Sequence, residues 1–176
     1  MRLELMRDPA KEFPAQESPL AVESMTVWHC KYKTLKPIAD FKNLKALKIA
    51  SFPDSSFDDL GKLAKLEWLS VQHIPKVGVL DGLARLKNLR YLQLQTLPSW
   101  DASRKRTVVE SLEPLSTLSE LVHISLIGVV PPNPSLAALE KCSRLKSARF
   151  HGYPAEEVER FFTASGARDE QMPEEA

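Results

Sequence analysis

A chain of 176 residues, 43% of them hydrophobic, can bury a core of its own as one domain. Its 24 basic and 23 acidic side chains leave a net charge of +1, a balance that argues against nucleic acid and against an anionic membrane surface as partners. Residues 1–8 carry charges every few positions where a secretory signal needs an apolar run, and the longest uncharged stretch, 121–139, is broken by Pro131, Pro132 and Pro134. The expectation is a cytoplasmic protein.

Residues 1–6 alternate apolar and polar side chains, and Pro9, Pro14 and Pro19 interrupt any regular element across 7–21. Residues 1–21 are therefore expected as an N-terminal cap or leader over the first rung of a repeat array. From Val22 onward one spacing recurs. Apolar residues fall at the first, fourth and sixth places of a block: Val22/Met25/Val27, Leu44/Leu47/Ile49, Leu66/Leu69/Val71, Leu89/Leu92/Leu94, Leu121/Ile124/Leu126 and Leu145/Ala148/Phe150. The six starts are separated by 22, 22, 23, 32 and 24 residues. A fixed period in this range is the signature of a leucine-rich repeat solenoid. The expected fold is α/β, with a parallel β-sheet on the concave face and short α- or 3-10 helices on the convex face. The six strands are expected within residues 22–153, and Leu47, Leu69, Leu92 and Ile124 should form one buried row.

Between the strands, apolar residues recur every third position, as in Phe57/Leu60/Leu63 and Leu80/Leu83/Leu86, which suits a short helix. Ser55 with Asp58 reads as a capping box, and Asn133 as an N-cap ahead of Pro134. The residue three past the last strand leucine, commonly Asn in this repeat class, is here Cys30, Phe52, Ile74, Leu97, Val129 and Tyr153. Proline follows in five of the six, so apolar packing and proline are expected to make the bend. The fourth repeat is longer, and its extra residues 99–108, with Trp100 and the run Arg104, Lys105, Arg106, are expected as a mobile loop. Cys30 and Cys142 fall four rungs apart, roughly 19 Å at the sheet spacing, too far for a disulfide. After the last block, Pro154 opens a helix with Glu156 and Glu157 in its first turn, Val158, Phe161 and Phe162 on one face and Gly166 as its stop. Residues 154–167 are expected as a C-terminal capping helix, and 168–176 as a disordered tail.

Two outer segments, 35–44 and 112–121, resemble the I-x-P-L-x-x-L-x-x-L run of bacterial leucine-rich repeat proteins of the short-repeat, internalin-like type. The resemblance covers roughly residues 22–153 and departs at the missing asparagines. It implies protein recognition through the concave sheet and carries over no catalytic residue.

The residues themselves offer no enzyme chemistry. His29, His73, His123 and His151 are spaced too widely for a shared metal, Gly61-Lys62 lacks the rest of a phosphate loop, and no paired cysteine motif occurs. No cofactor, metal or catalytic residue is expected. The strand positions facing away from the core are more informative. They stack into columns that bring together Trp68, Tyr91 and His123, beside Ser70, Gln93 and Gln95, with Trp28, Lys48 and Arg149 flanking. Aromatic anchors among uncharged polar groups suit a protein interface. The expected function is a non-catalytic, monomeric interaction scaffold, an adaptor, inhibitor or immunity-type protein holding a protein partner. The alternative is a small-ligand or glycan-binding protein using the same aromatic ladder.

Overall fold

The computed structural model describes residues 1–96 and 105–175. Each of the six blocks forms a five-residue strand: β2 (Ser24–Trp28), β3 (Ala46–Ala50), β4 (Trp68–Gln72), β5 (Tyr91–Gln95), β7 (His123–Ile127) and β9 (Ser147–His151). They pair in parallel and in register, so that each block's fourth residue lies beside the next block's fourth. Met25, Leu47, Leu69, Leu92, Ile124 and Ala148 thus make one row with no exposure. Ile49, Val71, Leu94 and Leu126 make the second row, equally dry. Fully burying one aliphatic side chain contributes about 1.5–3 kcal/mol, so these rows dominate cohesion. This is a leucine-rich repeat solenoid.

The sheet is longer than the six blocks. β1 (Arg2–Met6) pairs with β2 and β10 (Arg168–Asp169) pairs with β9, giving eight strands in the order β1-β2-β3-β4-β5-β7-β9-β10. β1 lies beside the first block strand, and Leu3 and Leu5 pack against the core. The expectation of a disordered tail from 168 onward is corrected at this point: Arg168 N–H donates to Lys146 O at 3.0 Å and Glu170 N–H to Ala148 O at 3.1 Å.

The chain leaves six strands of the large sheet by a left-handed residue. Arg7, His29, Ser51, His73, Gly128 and Gly152 each directly follow a strand, and their φ values run from 52° to 95°. All but Gly152 still donate their N–H to the next rung, as in Ser51 to Gln72 O and Gly128 to His151 O, both 2.9 Å. The bend therefore begins one residue before the apolar position and earlier than any proline. At that apolar position Phe52, Ile74 and Val129 are buried, and Tyr153 donates its hydroxyl to Val129 O at 2.8 Å. Packing replaces an asparagine ladder, as the composition suggests.

Among the described residues, six 3-10 helices lie between the strands, Pro19–Ala21, Lys36–Asp40, Leu60–Lys62, Asp81–Arg85, Glu113–Thr117 and Ala137–Lys141. Carboxylates from the next repeat cap two of them. Asp54 accepts from Leu35 N–H at 2.7 Å, and Glu157 accepts from Leu136 N–H at 2.6 Å. The anticipated caps differ: Ser56 rather than Ser55 bonds Asp58, and Asn133 engages through its carbonyl oxygen, which accepts from Ser135 N–H. Glycine is needed where these outer turns touch. A Cβ on Gly82 would sit 2.3 Å from Phe57 C and 2.5 Å from its oxygen, and one on Gly61 would sit 2.3 Å from Gly82 O.

The solenoid closes with α1 (Ala155–Ser165), ended by Gly166 at φ 66°. Phe161 is fully buried, and its ring lies 5.1 Å from Phe150. Of the long fourth repeat, 97–104 lie outside the described residues, and with them Trp100 and most of the expected loop. Its last part is ordered: β6 (Thr107–Val108) pairs with β8 (Val129–Val130), and Val109 beyond it is buried.

Leu69→Ala is expected to cost about 2–5 kcal/mol, the usual range for emptying a core site. Gly82→Ala is expected to cost about 1–3 kcal/mol, since it forces backbone apart where no side chain can give way. Urea denaturation of both variants, set against an exposed Ala64→Gly control, checks these magnitudes.

Candidate functional site

In-register pairing turns the outward strand positions into three columns across the sheet. The first runs Arg2, Ser24, Ala46, Trp68, Tyr91, His123, Ser147, Arg168. The second runs Glu4, Thr26, Lys48, Ser70, Gln93, Ser125, Arg149, and the third Met6, Trp28, Ala50, Gln72, Gln95, Ile127, His151. All nine expected residues thus share the concave face. Trp68, Tyr91, Gln93, Gln95, Trp28 and Lys48 are partly exposed, Arg149 is exposed, and Ser70 and His123 are buried.

Side chains on this face satisfy one another. Ser70 donates to Gln93 Oε1 at 3.1 Å, and Gln93 Nε2 donates to Gln95 Oε1 at 3.3 Å. Lys48 Nζ stands 4.9 Å from the Trp28 ring centroid, and the Arg90 guanidinium 5.6 Å from that of Tyr91, both within cation–π range. Arg149 lies 3.6 Å from the Asp169 carboxylate.

His123 departs from the expectation of an exposed neighbour to Trp68 and Tyr91. It has no exposure, and both ring nitrogens are engaged: Nδ1 with Ser147 Oγ and Nε2 with Ser125 Oγ, each at 2.8 Å. Burial pushes its pKa down to about 4, because the charged imidazolium would lose its water. A serine beside a histidine is the pairing of an activated nucleophile. Here the histidine is neutral, weakly basic and sealed from solvent, so no substrate reaches the pair as it stands. The two serines were legible in the columns, at the next rung and two residues along the strand.

The segment the sequence leaves without structure lies on this face. Trp68 Nε1 donates to Pro173 O at 3.2 Å, Ser24 Oγ donates to the Glu175 carboxylate, and Arg2 stands 4.0 Å from the same carboxylate. Between segment and sheet lies a cleft of about 360 Å³, lined by Arg2, Lys48, Trp68, Ser70, Gln72 and Gln93 on one side and by residues 172–175 on the other. Sequence reasoning missed Arg2 and residues 172–175, which have no repeat spacing to mark them, and did not single out Ser24 within its column.

A larger groove, about 890 Å³, runs past the entry ends of the strands between Lys45, Arg90 and Lys146. Its charges are mixed: Lys45 pairs with Glu23 at 2.8 Å, and Arg144 with Glu120. Among the described residues, no group of three or more His, Cys, Asp or Glu is placed to hold a metal ion, and no helix is long and apolar enough to cross a membrane. Cys30 and Cys142 are free thiols.

No family model matches the sequence, and no curated protein matches it. Among solved structures, the chain is similar to a leucine-rich repeat protein of Leptospira interrogans, at 19% identity and a TM-score of 0.45 over 78% of this chain. The match spans 40% of that protein's length. The solenoid is established by strand register and buried rows, independently of this likeness.

His123 makes folding pH-dependent in a defined window. Its folded pKa of about 4 lies below the ordinary 6.5, so its contribution is complete above pH 6.5 and is lost as the pH falls from 6.5 towards 4. The expected loss is on the order of 2 kcal/mol after allowing for solvent screening. Glu157, held down to about 2 chiefly by Arg160, acts lower, losing its contribution between pH 4.5 and 2. Urea midpoints measured from pH 7 to 3 should fall in both windows, and His123→Gln should flatten only the upper one.

Proposed function

We propose that this chain is a non-catalytic protein-interaction scaffold that holds a partner on its concave sheet, in an adaptor, inhibitor or immunity-type role within the cytoplasm. Its short outer runs resemble those of the bacterial, internalin-like repeat type. The observation that carries the reading is the Trp68 indole N–H, which already donates to a peptide carbonyl laid across the face. The face is chemically competent to receive an extended protein segment. Trp68 and Tyr91 stand on adjacent strands, each partly exposed, with large contact area and few rotatable bonds to lose on docking. The glutamines beside them offer amide donors and acceptors with no charge to desolvate.

A second reading, a small-ligand or glycan site, draws on the cleft beside Trp68. Its volume of about 360 Å³ lies near the lower end of ligand-sized cavities. Its lining weighs against that reading. Only Trp68, Met172 and Pro173 among its ten residues are apolar, and one wall is a segment of the chain itself.

Trp68→Ala and Tyr91→Ala separate an interface from a purely structural pairing. As cross-strand neighbours alone they would cost about 0.2–1 kcal/mol of stability. As anchors they would cost about 2 kcal/mol or more of binding, roughly 30-fold in affinity. Partners captured from the source cell by the unaltered chain are expected to be lost by either variant while melting changes by only a few degrees. Undiminished capture by the double variant would rule this face out.

A further inference from the structure

The face that would receive a partner is occupied by residues 170–175. The path is geometrically demanding. From Glu170, which continues β10, to Glu175, bonded to β2, the segment passes six inter-strand spacings, about 29 Å measured along the sheet. Five residue steps, fully extended, cover about 17–18 Å. The segment therefore has to run extended across the strands, taking the shorter chord of the concave surface, with the Glu175 carboxylate supplying the last reach to Ser24.

Its chemistry matches the sheet beneath it. The three columns carry Arg2, Lys48, Arg149 and Arg168 against one acid, Glu4, which is paired with Arg2 at 3.0 Å; Asp169, beside the columns, takes Arg149 at 3.6 Å, and Glu170 of the segment itself takes Arg168 at 3.3 Å. The segment carries Glu170, Glu174 and Glu175 and no base. The Glu175 side chain is only 18% exposed, so an acid is drawn well into the surface beside Arg2. Pro173 has no N–H to leave unsatisfied over the sheet, and its carbonyl meets the Trp68 indole.

We infer that the concave face recognises an extended acidic peptide segment running across its strands, and that residues 170–175 are the chain's own copy of that ligand, which a protein partner must displace. This rests on the protein-binding reading above and names the partner's chemistry. Seated in the same molecule, the segment competes at an effective concentration near millimolar. An isolated peptide of similar affinity would then bind the unaltered chain poorly.

The test is a fluorescently labelled peptide of sequence Glu-Gln-Met-Pro-Glu-Glu, titrated by anisotropy into the 176-residue chain and its variants. In the first variant, Met172→Gly, Pro173→Gly, Glu174→Gly and Glu175→Gly together silence the native segment. The peptide is expected to bind this variant at least tenfold more tightly than the unaltered chain. Adding Trp68→Ala, or replacing the two terminal glutamates of the peptide by lysine, should each reverse the gain by tenfold or more. Equal affinity for both chains, or equal binding of the lysine peptide, would overturn the inference. Should the quadruple variant fail to fold, Glu175→Gln alone is expected to give a threefold or greater gain, and no gain would again overturn it. If the peptide does not bind while Trp68→Ala still abolishes partner capture, the acidic-segment inference falls and the protein-binding reading stands. If the peptide binds at Trp68 while partner capture ignores that residue, the reading falls and the affinity for acidic segments stands.

Discussion

In-register parallel pairing is the constraint on which everything else in this molecule depends. Once Leu47, Leu69 and Leu92 stand side by side, every other strand position is fixed to a column. A slip of one residue would turn the whole dry row outward. The register is held from both sides of the strand. Inside, two rows of aliphatic side chains are fully buried. At the exit, left-handed residues such as His29, Ser51 and His73 keep the ladder of N–H donors running for one more position before the chain turns. On the outer side, Gly61 and Gly82 let successive turns approach closer than any side chain would allow.

The same constraint builds the surface that concerns function. No single strand carries a binding site, yet five-residue strands stacked in register place Trp68, Tyr91 and His123 in line. What each of them does is decided by its neighbours. His123 finds a serine on either side and becomes a neutral, satisfied strut of the sheet. Trp68 has no such partner within the sheet and turns its indole N–H to Pro173. A polar face whose groups satisfy one another gives up little when covered. The groups directed away from the sheet are the ones the proposed partner would meet.

Much of this was legible in the sequence, for physical reasons that differ by element. The two buried rows and the six block strands are readable because burial imposes a period, and a period survives in a single sequence. The columns follow from the rows. β1 was half legible, from the alternation across residues 1–6. β10 was not, since two residues bonded to a sheet edge carry no pattern. The caps supplied by Asp54 and Glu157 were invisible because donor and acceptor lie about one repeat apart and no local motif joins them. The burial of His123 depends on Ser125 and Ser147 facing it, which the columns contained but composition alone did not weight. Residues 170–175 look like a solvated acidic tail, and only the three-dimensional placement of Trp68, Ser24 and Arg2 gives them a seat.

The seat at Trp68 is therefore the point on which the functional account turns, and nuclear Overhauser spectroscopy of the free chain reads it directly. The account predicts cross-peaks between the Trp68 indole ring and the Pro173 ring protons, together with extended-chain shifts for residues 171–175. Random-coil shifts for those residues and no contact between Trp68 and Pro173 would contradict it.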